Sequence, residues 1–217
     1  MSIARKLMGA RSPVQTSITH LDTASYNGSA VASRSFLGMD LGSEASDRFI
    51  VVGVHCFYTT PGREILSVSV GGQAATEIIA TTQSVPSGSD VYTYSGLWVV
   101  DASGTSGDVF VTASAGVTTY LVSTWRLISS TSTPSVTDQR TDIGTTTSYT
   151  NTWGAATVLL TTGVNDPNPN LGNATKEYAV DPRSGEWMVG AIGDLVETSG
   201  TISILSNVDS TCIASWD

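Results

Sequence analysis

The run Phe49-Ile-Val-Val-Gly-Val-His-Cys-Phe-Tyr58 is apolar on both faces of a two-residue alternation. Successive side chains of a β-strand point to opposite sides of its sheet. A strand that is apolar on both sides must therefore be covered on both sides, with one layer of structure above it and another below. The chain has to build at least that much around residues 49–58.

The rest of the body supplies strand patterns at short, regular intervals. Val31 to Leu37 is the first expected strand. Ile65–Val70 and Ala74–Ala80 flank Gly71-Gly72, a two-residue hairpin signal. Val91–Val100, Asp108–Ala115 and Thr118–Ile128 follow, separated by Asp101-Ala-Ser-Gly104 and by Gly116. Later strands are expected at 155–162, 176–180, 186–192, 201–205 and 211–216. About eleven strands without a convincing helix predict an all-β, jelly-roll-like antiparallel β-sandwich, one domain over residues 31–217. Within it, 129–152 is Ser/Thr-rich and reads as a surface loop or an edge strand. The remainder after it is too short for a core of its own.

Residues 1–30 differ in character. They hold Arg5, Lys6 and Arg11, three of the chain's ten basic residues, and show no strand alternation before Val31. Ile3, Leu7 and Met8 have a helix-like spacing that offers one apolar edge. Two readings stand: a frayed terminus, or an N-terminal arm that orders against a partner subunit through Arg5, Lys6, Leu7 and Arg11.

Composition narrows the function classes. A hydrophobic content of 40% supports a proper core, so the 60 Ser and Thr residues belong to a folded surface. The charged fraction is only 13% and the net charge −9, the wrong sign for phosphate backbones and for anionic membranes. Neither nucleic acid nor membrane is an expected partner. The N-terminal residues lack the continuous apolar stretch of a secretory signal, and synthesis in a cytoplasm is expected. Cys56 and Cys212 stand far apart; pairing stays open, although Cys56 in an apolar strand suits a free core thiol.

Little in the chain is equipped for a reaction. His55 lies in the doubly apolar strand and His20 in the arm, without visible ligand partners or the strand-turn-helix elbow of a serine nucleophile. Gly71-Gly72 opens no helix and so makes no phosphate cradle. Glu177 and Glu186, in neighbouring expected strands, are the best pair for glycoside cleavage. Asp166, Asn168 and Asn170, followed by Glu177, give the alternating oxygens of a calcium loop, but the turn glycine is one position late and two prolines stiffen it. A plain Asn/Pro turn is the other reading. Tyr92, Tyr94 and Trp98 share one strand face; exposed they form a stacking platform for a host surface glycan, buried they are core. No catalytic residue and no cofactor other than calcium is expected.

Asp47-Arg-Phe-Ile-Val-Val-Gly-Val-His55, followed by Ile65-Leu-Ser-Val-Ser-Val-Gly-Gly-Gln-Ala-Ala75, resembles β-rich structural proteins of tailed bacteriophages and prophages. Asn173-Ala-Thr-Lys-Glu-Tyr178 and Gly185-Glu-Trp187 are similar to the C-terminal half of such chains, and Ser2-Ile-Ala-Arg-Lys-Leu-Met-Gly9 to their short leader. The resemblance implies a non-enzymatic virion component: a capsid decoration, spike, fibre or tail-tip subunit. Its partners would be other virion proteins and further copies of itself, with a trimer expected. The alternative is a carbohydrate-binding, receptor-recognition module of a phage fibre.

Overall fold

The computed structural model describes residues 16–84, 92–129, 136–142, 146–151, 156–164, 174–181, 186–193, 200–205 and 208–216. Fourteen strands run through them: β1 (Ser17–Asp40), β2 (Arg48–Tyr58), β3 (Ile65–Val70), β4 (Gln73–Ala74), β5 (Thr76–Ser84), β6 (Tyr92–Val100), β7 (Ser106–Ile128), β8 (Val136–Asp142), β9 (Thr146–Asn151), β10 (Ala156–Val164), β11 (Ala174–Val180), β12 (Glu186–Gly193), β13 (Gly200–Leu205) and β14 (Val208–Trp216). Among the described residues there is no helix, and every strand pairing is antiparallel.

The first seven strands form one sheet, in the order β4-β3-β7-β2-β6-β5, with β1 also paired to β7. Strands β1 and β7 are too long to lie flat. Asp22 and Asp40, both on β1, would stand roughly 60 Å apart in a straight strand at about 3.3 Å per residue. Instead the Asp40 amide donates to the Asp22 carboxylate at 3.2 Å, and the Thr124 hydroxyl donates to the Asp40 carbonyl at 2.8 Å. The β1–β7 ribbon therefore doubles back and curls the sheet almost into a barrel. It turns where the register slips, between Asn27, Val31 and Ser33. Gly116 lies at this bend, so close to Ala30 that a Cβ would come within 3.1 Å of the Ala30 side chain.

Doubling back makes two layers from one sheet. The outer layer is β4-β3, the first half of β7 and the second half of β1; the middle layer is β5-β6-β2, the second half of β7 and the first half of β1. A second sheet, β11-β12-β10-β14-β8, covers the other side of the middle layer, and β13 pairs with β9. Two cores result. The first joins Ile50, Val52, Val54, Cys56, Tyr94 and Trp98 of the middle layer to Phe36, Met39, Val68, Val70, Val109 and Val111 of the outer one. The second joins Phe49, Val51, Phe57, Leu97, Leu121 and Trp125 to Val158, Met188, Cys212, Ala214 and Trp216 of the second sheet. Strand β2 thus buries alternate residues in different cores, as its double apolar pattern requires. Each large side chain fully buried this way contributes about 1.5–3 kcal/mol.

One end of the first core is closed by Arg48, a buried cation. Its guanidinium donates to the carbonyls of Leu41 (3.1 Å), Gly42 (3.1 Å), Gly104 (2.9 Å) and Ala102. Four backbone acceptors from two loops offset the desolvation of the charge.

Several expectations are met and several corrected. Gly71 and Gly72 both have positive φ (57° and 83°) and turn the β3–β4 hairpin, with Val70 opposite Gln73. Residues 17–30, expected to belong to an arm, are instead the first half of β1: Ser17 pairs with Ile128 and Asn27 with Thr119. Gly116 does not separate two strands, because β7 runs through it with β1 alongside. The Ser/Thr-rich stretch contains two strands, β8 on the edge beside β14 and β9 beside β13. Arg5, Lys6, Leu7 and Arg11 lie outside the described residues.

Candidate functional site

Four polar residues lie buried between the middle layer and the second sheet. His55 stands on β2 directly opposite Ser95 on β6 and Leu121 on β7. Its Nδ1 is 3.2 Å from the Ser95 hydroxyl, and its Nε2 is 3.2 Å from the hydroxyl of Tyr178, on β11. The Tyr178 hydroxyl lies 2.9 Å from that of Ser123 on β7. Two proton arrangements satisfy the chain: Nδ1–H donates to Ser95, Tyr178 to Nε2 and Ser123 to Tyr178, or all three bonds run the other way. The Cys212 thiol on β14 adds a contact to the Ser95 carbonyl at 2.9 Å.

Local structure explains why Tyr178 reaches inward. The β11–β12 register slips between Lys176 and Tyr178, leaving Glu177 exposed and turning the tyrosine into the core. Opposite it stands Gly190, where a Cβ would lie 2.2 Å from the Tyr178 ring. Only glycine leaves room for the aromatic ring to cross to the middle layer. The ring also packs beside His20 (centroids 5.3 Å apart) and Trp125 (6.1 Å). His20 itself sits 2.9 Å from the Thr23 hydroxyl through Nε2.

Burial fixes the electrostatics. Desolvation lowers the His55 pKa from 6.5 to about 3, so its imidazole is neutral at physiological pH. Desolvation also lowers that of the half-buried His20, against the pull of Glu177 and Asp22, and raises that of Tyr178. Ser, His and Tyr side chains in contact invite comparison with a hydrolytic set, but the geometry argues otherwise. His55, Ser95 and Ser123 have no solvent exposure, and Ser123 faces the tyrosine rather than the imidazole. Chemically, the buried cluster bridges two sheets.

The other sequence candidates are not brought together. Tyr94 and Trp98 are buried in the first core, stacked with ring centroids 6.1 Å apart, and Tyr92 is partly buried against the same core. The aromatic stripe is core, which corrects the glycan-platform reading of Tyr92, Tyr94 and Trp98. Glu177 sits level with Gly190 and Ala191 of β12, four to five residues along the strand from Glu186, a separation of roughly 15 Å at 3.3 Å per residue. Of the calcium candidates, Asp166, Asn168 and Asn170 lie outside the described residues, and Glu177 is exposed on β11. Among the described residues no three His, Cys, Asp or Glu side chains converge as metal ligands. Cys56 and Cys212 are free and buried in different cores, on opposite sides of the middle layer.

The sequence reading located His55 in a buried strand but missed Ser95, Ser123 and Tyr178. One signal was present: Ser95 and Ser123 are small polar residues in the middle of otherwise apolar strands. No protein-family model, curated protein or solved structure matches the chain.

Proposed function

We propose that this protein is a non-enzymatic structural component of a tailed-phage virion: a capsid decoration, a spike or fibre subunit, or a tail-tip component. In this reading the stacked layers are a jelly-roll-like module, made in the bacterial host cytoplasm and assembled on the particle as a homo-oligomer, with a trimer expected. The segment before Ser17 is the attachment arm, and Arg5, Lys6, Leu7 and Arg11 contact the partner.

The observation that carries the reading is where the reactive side chains go. His55, Ser95, Ser123 and Tyr178 face inward and tie sheet to sheet, and both cysteines are buried. Such a design favours a rigid body over a reaction centre. The segments that resemble phage structural proteins, Asp47–His55 and Ile65–Ala75, coincide with the doubly buried β2 and the β3–β4 hairpin.

Deletion of residues 1–15 tests the attachment. The cut stops before Ser17, because a longer one removes β1 residues paired to β7. The truncated chain is expected to keep its thermal midpoint and to be missing from particles. Normal incorporation would place attachment in the β-body and refute the arm.

A further inference from the structure

Seven asparagines occur in the chain, and one of them, Asn27, precedes a glycine. The other six precede residues that carry a Cβ. The difference is chemical. The backbone nitrogen that follows an asparagine can attack its side-chain amide and close a five-membered imide. A Cβ on the following residue crowds that nitrogen; glycine has none.

The structure puts this pair where β1 is least regular. Asn27 pairs with Thr119 and Val31 with Val117, so four steps on β1 match two on β7. Two residues are surplus, as in a bulge, where the ladder of backbone bonds is locally interrupted. Rotation of the Asn27–Gly28 peptide there disturbs fewer bonds than in a paired stretch. Asn27, Gly28, Ser29 and Ala30 are all exposed, so solvent meets the pair. The bend also demands the glycine: the Tyr26 hydroxyl donates to the Ser29 carbonyl at 2.8 Å, and a Cβ on Gly28 would lie 2.8 Å from that hydroxyl.

A second observation concerns the group attacked. The Thr119 hydroxyl donates to Asn27 Oδ1 at 3.2 Å. Thr119 has no solvent exposure, so its donor is held in place. A donor fixed on a carbonyl oxygen stabilises the negative charge which that oxygen takes on as its carbon is attacked.

We propose that Asn27 is a self-modification site, converted by the chain itself to aspartate and isoaspartate, with the Thr119 hydroxyl polarising the amide that reacts. The Gly28 nitrogen loses its proton to solvent and bonds to Asn27 Cγ. The Cγ–Nδ2 bond breaks, and Nδ2 takes a proton from solvent and leaves as ammonia. Water then opens the imide. Opening at Cγ gives aspartate; opening at the main-chain carbonyl gives isoaspartate, whose backbone runs through Cβ and Cγ and is one atom longer. One water is consumed, one ammonia is released, and nothing is oxidised or reduced. Either product adds a negative charge beside Thr119, on a chain already at −9. The step needs no enzyme and no energy source, so the modified fraction records the age of the protein, whether or not the chain serves in a particle.

Purified full-length protein, held in buffer at pH 8 and 37 °C and mapped by peptide mass spectrometry, tests the proposal. A gain of about 1 Da, divided between aspartate and isoaspartate, is expected at Asn27. It should accumulate there at least about ten-fold faster than at any other asparagine, and Gly28→Ala should slow it by a similar factor. Thr119→Val, close in shape, should slow it several-fold in the folded protein, while Thr119→Ser, which keeps the hydroxyl, should not. In urea, where the contact is lost, wild type and Thr119→Val should react at one rate, so the effect of the hydroxyl is read separately from any loss of folding. No gain at Asn27, equal gain at all asparagines, an undiminished rate in Gly28→Ala, or folded Thr119→Val reacting as fast as wild type would overturn the proposal.

Discussion

His55 Nε2 lies 3.2 Å from the hydroxyl of Tyr178, joining β2 to β11 across the second core. The two residues are 123 positions apart in sequence, and both are at least nine-tenths buried. Neutral imidazole fits this place; imidazolium does not. The stability of the fold is thereby coupled to pH.

In the unfolded chain His55 titrates near 6.5, and in the fold only near 3. Above pH 6.5 both states hold the same number of protons and this residue gives no slope. Below it the unfolded state binds a proton that the fold refuses. Stability therefore falls with acid, by up to about 1.4 kcal/mol per pH unit between 6.5 and 3. His20, also lowered, acts in the same direction. Urea unfolding at pH 7, 6 and 5 should show this slope and a shallower one in His55→Gln. Parallel slopes would mean that His55 is not held neutral.

Tyr178→Phe keeps the ring and removes the hydroxyl that serves both His55 and Ser123. Leaving those buried groups short of a partner is expected to cost about 1–3 kcal/mol. Gly190→Ala strikes the same contact from behind, since its Cβ meets the ring at 2.2 Å, and overpacking of this kind costs about 1–3 kcal/mol or more. Denaturant midpoints measure both losses. The two changes should be less than additive when combined, because each disturbs one contact.

Arg48→Lys is expected to lose on the order of 2–4 kcal/mol. An ammonium has three donors and no planar fork, so it cannot serve all four carbonyls at once. The same denaturant series checks it; a loss under about 0.5 kcal/mol would show that the loops hold without the guanidinium.

Cys56 and Cys212 should resist a thiol reagent in the folded protein and react fully in urea, as two thiols per chain. Burial raises the pKa of both, which suppresses the reactive thiolate. Intact mass under non-reducing conditions should show both thiols reduced. An intramolecular disulfide would require the two cores to exchange residues.

Much of this architecture was legible because period-two patterning survives wherever a strand is buried. The doubly apolar β2 announced two covering layers, and Gly71-Gly72 announced its hairpin. The first half of β1 was not legible. Ser17–Ala30 alternates poorly because this strand is partly exposed and is held by backbone pairing to β7, which leaves no side-chain signature. Gly116 read as a break because the sequence cannot show that Ala30 packs against it at a bend. The inter-sheet cluster was half legible: His55 in an apolar strand demanded a partner, but Tyr178 is chosen by a register slip at Glu177 and by the missing Cβ of Gly190, both properties of the fold.

The central claim is that the chain is built into a phage particle. Quantitative mass spectrometry of particles purified from the strain that carries the gene tests it most directly. The account predicts that the protein co-purifies with the particles through a density gradient, in a fixed copy number relative to the major capsid protein and in a multiple set by particle symmetry. Its recovery only in the soluble lysate, with none in the particle band, would contradict it.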